Sequence, residues 1–173
     1  MLIMSKINNI TQPATKLCTL EQAVQIRQQW KDQGLTCALT NGCFDILHRG
    51  HAEYLLGARS KADKLIVLLN ADESVRRLKG PTRPVNNEYD RGYLLGCMSF
   101  VDMVVVFSEQ RCTKEIAALA PDVYVKGADY TVEKLDPEER AALFSIEAAI
   151  EFLPFVPNHS TTETINKINK GKE

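Results

Sequence analysis

The sequence predicts an α/β protein: a doubly wound, parallel, five-stranded sheet with helices on both faces. Three observations predict it. Short apolar runs with a β-branched bias recur at 35–40, 64–70, 103–107, 122–126 and 151–155. Segments with helix-start signals or helical spacing separate them, so strand and helix alternate along the chain. The run KLIVLLN, Lys64 to Asn70, shows no polar alternation, as expected of a strand covered on both sides. Strands connected in this way lie parallel, with right-handed crossovers.

The elements follow in order. Residues 1–18 read as a loosely ordered arm, and Lys6 and Asn8 interrupt the apolar Leu2, Ile3 and Met4 too soon for a signal peptide. Residues 19–173 form the single domain. Thr19 and Gln22 make a capping box, and its helix stops at Gly34. The strand 35–40 follows, then a helix over 51–60. After the strand 64–70 come a short helix over 72–78, the loop KGPTRPVNN and a helix over 88–100. The strand 103–107 leads to a helix over 113–120 and the strand 122–126. Asp136 caps the next helix, with Pro137 and two glutamates in its first turn, and that helix runs to about Ile150. A strand over 151–155 comes next. Ser160 and Glu163 form a second capping box that opens the last helix.

Composition narrows the function. A net charge of -1 provides no global attraction to nucleic acid or to a membrane surface, so neither is expected as a partner. Any anionic ligand must be held by local charge. The five cysteines are odd in number and form no CxxC pair, so small buried thiols in a reducing cytoplasm are expected. No apolar stretch is long enough for a signal peptide or a membrane span.

In open parallel sheets, ligands bind beyond the carboxyl ends of the strands. The residues there share one kind of chemistry. Asn41, Gly42, Phe44, Asp45, His48 and His51 follow the first strand, and Asn70 and Asp72 follow the second. Lys126, Gly127, Asp129 and Tyr130 follow the fourth, and His159, Ser160, Thr161 and Thr162 the fifth. Neither GxxxxGK[ST] nor a GxGxxG after a strand is present. Two helix starts can hold phosphate instead, one at Gly50 and His51, the other at Ser160 to Thr162. Two imidazoles at a helix N-terminus can both donate to one phosphate, and the helix adds roughly half a positive charge. Gly50 leaves room for the phosphate to approach the backbone. Both imidazoles are expected to be solvent-accessible.

His48-Arg49-Gly50-His51 resembles the HxGH signature of the nucleotidyltransferase superfamily, and TNGCFDILHRGH resembles its cytidylyltransferase-like branch. LKGPTRPVN, VKGADY and the STT that opens the last helix resemble the adenylyltransferase half of bacterial ADP-heptose synthases. The resemblance implies a Rossmann-like fold and a homodimer. It implies transfer of AMP from ATP, carried with Mg2+, to a small-molecule sugar phosphate such as a heptose 1-phosphate. His48, His51 and Lys79 would be catalytic. Asn41, Gly42, Cys43, Phe44, Asp45 and Gly50 would line the nucleotide pocket. Lys126, Gly127 and Asp129 would face the nucleoside, and Ser160, Thr161, Thr162 and Arg91 the phosphates. Asp45, Asn70, Asp72 and Arg83 are the candidates on the acceptor side. Phe155 matches the adenylyl branch. His159 and the helical look of 135–150 depart from the heptose enzymes.

Three other readings stand beside this one. The same chemistry could use CTP and a glycerol 3-phosphate-like alcohol phosphate. The fold could serve as a non-catalytic nucleotide-binding module. His48, His51 and His159 could bind a metal, although no resident metal is expected from their spacing.

Overall fold

The computed structural model describes residues 11–154, 156 and 159–170. Phe155 and the apolar triplet Leu2 to Met4 lie outside the described residues. The strands are β1 (Leu17–Cys18), β2 (Cys37–Gly42), β3 (Lys64–Asn70), β4 (Met103–Phe107), β5 (Val123–Gly127) and β6 (Ala149–Leu153). The helices are α1 (Leu20–Asp32), α2 (Arg49–Arg59), α3 (Asp72–Lys79), α4 (Glu88–Gly96), α5 (Thr113–Leu119), α6 (Pro137–Ser145) and α7 (Thr161–Lys170). All strand pairs are parallel, in the order β1-β4-β3-β2-β5-β6.

Alternate side chains of each central strand enter opposite cores. Leu39, Ile66, Leu68 and Val105 face α1, α5 and α6. Ala38, Leu65, Val67, Leu69 and Val104 face α2 and α4. Both faces are apolar, so the run at β3 has no alternation to show. Trp30 packs against the first core.

The sheet has one strand more than expected. Leu17 and Cys18, placed in the arm by the sequence reading, pair with Val104 and Val105 at the β4 edge. The preceding turn is held by Lys16 Nζ donating to the Met98 carbonyl at 2.9 Å. A Cβ on Gly96 would lie 2.6 Å from the Pro13 carbonyl oxygen, so glycine alone permits this close approach. Two residues carry no readable periodicity.

Other boundaries move. β2 starts at Cys37 and runs to Gly42, two residues beyond the expected strand. α4 ends at Gly96, not Phe100, where the chain turns through Met98 and Val101. α6 ends at Ser145 rather than near Ile150, and β6 starts at Ala149. The cause is a Schellman ending: Ala148 N–H donates to Leu143 O and Glu147 N–H to Phe144 O, with Glu147 at φ 56°. Glycine marks the same motif after α1, where Gly34 has φ 72°. After α6 no glycine announces it.

The chain leaves β2 toward β3 on one side, while β5 lies on its other side. The crevice at this switch point opens beyond the carboxyl ends of β2 and β5. No helix among the described residues is long and apolar enough to cross a membrane.

Candidate active site

β2 delivers Asn41 and Gly42 to the crevice, and the chain then turns sharply. Phe44 adopts φ 44°, which is unusual for a bulky residue. Its ring lies over Gly42, where a Cβ would sit 2.9 Å from Phe44 Cε2. The next residue holds the turn. Asp45 is buried, and its carboxylate accepts from Arg83 Nε, from Val85 N–H at 2.7 Å and from Asn86 N–H at 3.2 Å.

Behind this turn stands Arg91, 0% exposed. Its guanidinium donates to the carbonyls of Cys43 (2.5 Å), Asn86 (3.0 Å) and Asn70 (2.9 Å), and to the Asp72 carboxylate (2.8 Å). It joins the ends of β2 and β3 to the start of α4.

His48 is the N-cap of α2, and its Nδ1 accepts from the His51 N–H at 3.3 Å. A neutral ring then carries its proton on Nε2. The His48 and His51 rings stack, with centroids 3.8 Å apart and planes at 15°. The Phe44 ring meets His51 edge-on at 5.3 Å. A Cβ on Gly50 would lie 3.0 Å from His159 Cβ and 3.1 Å from the His48 ring, so the glycine admits both imidazoles. Thr161 Oγ1 donates to the Ile46 carbonyl at 3.3 Å, docking the start of α7 on the histidine turn. Tyr54 on α2 donates to the Val125 carbonyl at 3.0 Å and lies 2.8 Å from Thr40 Oγ1, tying the same helix to β2 and β5.

These elements enclose one cleft of about 990 Å3. His48, Gly50, His51 and the Ser160–Thr162 start of α7 line it together.

Comparison with known proteins shows the family. Residues 39–167 match the family model described as cytidylyltransferase-like. The chain belongs to that family. The bifunctional protein HldE of Mesorhizobium japonicum is 45% identical over 152 residues, which cover 86% of this chain and 30% of that relative. HldE of a Caulobacter species is 44% identical over 154 residues, 89% of this chain and 31% of the relative. The chain thus spans about 30% of the length of these relatives. A lipopolysaccharide core biosynthesis protein from Thermoplasma volcanium superposes with TM-score 0.58 at 27% identity, covering 71% of this chain and 98% of that one. A pantoate-beta-alanine ligase from Francisella tularensis has TM-score 0.56 at 16% identity, covering 89% and 77%, and shares the fold.

As a cytidylyltransferase-like protein the chain is a nucleotidyltransferase, and most of the expected residues meet in its cleft. Asn41 to Asp45 form its floor, and Asn70, Lys79 and Arg83 line the β3 side. Lys126, Gly127 and Asp129 line the β5 side. Two expected residues do not reach it. Arg91 is spent on four protein acceptors beneath the floor, and Asp72 is paired with it. In this nucleotidyltransferase both act as supports for the pocket rather than as its lining.

The histidines are also less open than expected. Burial first, then the neighbouring His48, push the His51 imidazole from 6.5 down to about 4, with the Ile46 carbonyl opposing in part. His51 Nδ1 is buried with no aligned hydrogen-bond partner among the described residues. Burial and then His159 lower His48 as well. Both rings are therefore neutral near pH 7, each with one N–H to donate. No group of three or more His, Cys, Asp or Glu residues is placed to hold a metal ion among the described residues.

Tyr54 and Glu139 are lining residues without a clear sequence signal. Glu139 lies in the first turn of α6 and reads locally as a partner of the helix dipole. Its spacing of four from the buried Leu143 is the one hint that it faces inward.

Proposed function

We propose that the chain transfers AMP from ATP to a sugar 1-phosphate, with D-glycero-D-manno-heptose 1-phosphate as the first candidate. An acceptor phosphate oxygen attacks the α-phosphorus, the bond to the bridging oxygen of the β-phosphate breaks, and pyrophosphate leaves. The product is an ADP-sugar. The observation that carries this reading is the cleft shared by the His48–His51 pair and the start of α7. The imidazole N–H groups and two helix N-termini are donors fixed in place before the triphosphate arrives, so they stabilise charge that grows on the α-phosphate during attack. Lys79 adds a cation on the β3 side.

Mg2+ fits as a companion of the triphosphate. Asp45, the carboxylate on the floor of the phosphate end, is already occupied by Arg83 and two backbone N–H groups. The ion would keep its ligands on phosphate oxygens and water. The reading includes a cytoplasmic homodimer with neither nucleic acid nor membrane as partner.

Pyrophosphate release with ATP and with CTP, measured against a panel of sugar 1-phosphates and alcohol phosphates, tests it. ATP with a heptose 1-phosphate should give the highest kcat/KM. A preference for CTP with glycerol 3-phosphate would replace it with the cytidylyl reading. Tight nucleotide binding without turnover on any acceptor would make the chain a binding module.

A further inference from the structure

The β5 side of the cleft holds a cation and a carboxylate that the fold keeps apart. Lys126 is 9% exposed, and its recorded partners among the described residues are two aromatic faces, Tyr124 at 5.5 Å and Tyr130 at 5.0 Å. A buried ammonium without an anion or a carbonyl is costly, so its donors are available to a ligand.

Glu139 is 6% exposed and lines the same cleft. One oxygen, Oε1, is anchored by the Cys112 backbone N–H at 3.0 Å and the Cys112 thiol at 3.3 Å. The other, Oε2, has only the Tyr124 hydroxyl within reach, at 3.5 Å. That hydroxyl has a closer acceptor, Asn41 Oδ1 at 3.0 Å. Tyr124 has a single proton, so Oε2 keeps acceptor capacity.

Tyr130 completes the set. The residue is 39% exposed at the cleft wall, and its ring offers a face on which a planar group can stack. The β3 side differs: Lys79 offers a cation there, Arg83 is paired with Asp45, and no exposed ring lines that side among the described residues. An aromatic platform with one donor and one spare acceptor suits a nucleobase better than a phosphate.

We infer that Lys126 and Glu139 read the nucleobase, selecting an edge that carries a ring-nitrogen acceptor beside an exocyclic amine. Adenine and cytosine present that edge. Hypoxanthine, guanine and uracil place a carbonyl oxygen where the amine would be, and this oxygen faces the Glu139 carboxylate without a proton between them. The inference rests on the nucleotide-transfer reading, but it does not require the acceptor to be known.

Calorimetric titration of the full chain with Mg2+ and ATP, ITP or N6,N6-dimethyl-ATP tests it. The unmodified protein should bind ATP at least about tenfold more tightly than either analogue, as for loss of one hydrogen bond to a charged group. Glu139→Gln, whose amide can donate to a carbonyl, should lower the ATP-to-ITP affinity ratio by at least about threefold without abolishing it, because the N1–H of hypoxanthine still faces Lys126. An unchanged ATP-to-ITP ratio in that variant overturns the inference. Equal binding of ATP and N6,N6-dimethyl-ATP by the unmodified protein overturns it without any variant. If CTP binds and ATP does not, the ATP reading fails. The inference then stands if Glu139→Gln reduces a preference for CTP over UTP, and falls if it does not.

Discussion

The imidazoles of His48 and His51 lie stacked 3.8 Å apart at the start of α2, and Nδ1 of the first accepts the backbone N–H of the second. One side chain therefore both caps the helix and turns its Nε2–H outward. His48→Ala should lower kcat by about two to three orders of magnitude, as for loss of one donor to a developing oxyanion. It should also cost about 1 kcal/mol of stability through the lost cap. His48→Asn, which can cap, should recover the stability and not the turnover. Near-normal pyrophosphate release from His48→Ala would remove His48 from the mechanism.

The depressed His51 pKa sets a pH dependence. The folded ring resists protonation down to about 4, whereas the unfolded ring titrates near 6.5. Between these values the unfolded state holds more protons. Stability is thus fully present above about pH 6.5 and declines toward pH 4, by up to about 3 kcal/mol from this group. Urea denaturation across that range, compared with His51→Asn, should show the slope in the parent protein and its reduction in the variant.

Nucleotide binding should couple to the same ring. A triphosphate beside the imidazoles favours their protonated forms, so binding takes up protons. ATP should bind more tightly near pH 6 than near pH 8. Titration calorimetry in buffers of different ionisation heats should register the uptake, and loss of this signal in His51→Asn would assign it. Equal uptake in that variant would place the proton elsewhere.

Asp45 and Arg83 form a pair with side chains 1% and 13% exposed. Removing one partner leaves a buried charge, which generally costs about 3–5 kcal/mol. Asp45→Asn should destabilise the fold by an amount of that order, measured by denaturant midpoint. Arg83→Met in the same chain should return part of it, because the unpaired cation is gone. A neutral Asp45→Asn would mean the pair contributes nothing to the turn.

Arg91 makes the contrasting prediction. Lysine cannot reproduce its fork of contacts to three carbonyls and Asp72. Arg91→Lys should cost about 3 kcal/mol of stability. ATP affinity of the remaining folded protein should change less than in His48→Ala. A selective loss of ATP binding at unchanged stability would return Arg91 to direct contact.

The sequence determined what is local. Caps at Thr19 and Asp136, the apolar run at β3 and the dense stretch from Asn41 to His51 depend on neighbours a few residues away, and each formed where it was read. Tertiary structure decided what depends on distant partners. Leu17 and Cys18 became a strand because β4 had an open edge. α6 stopped early because Glu147 accepted a left-handed conformation that no glycine signalled. Arg91 was drawn under the pocket by the carbonyls at the ends of β2 and β3, to which it donates. Glu139 rather than Glu138 faced the cleft because α6 packs with Leu143 inward. Residue type and spacing specify which groups are available, whereas burial and long-range hydrogen bonding decide which of them are already used and which remain for a ligand.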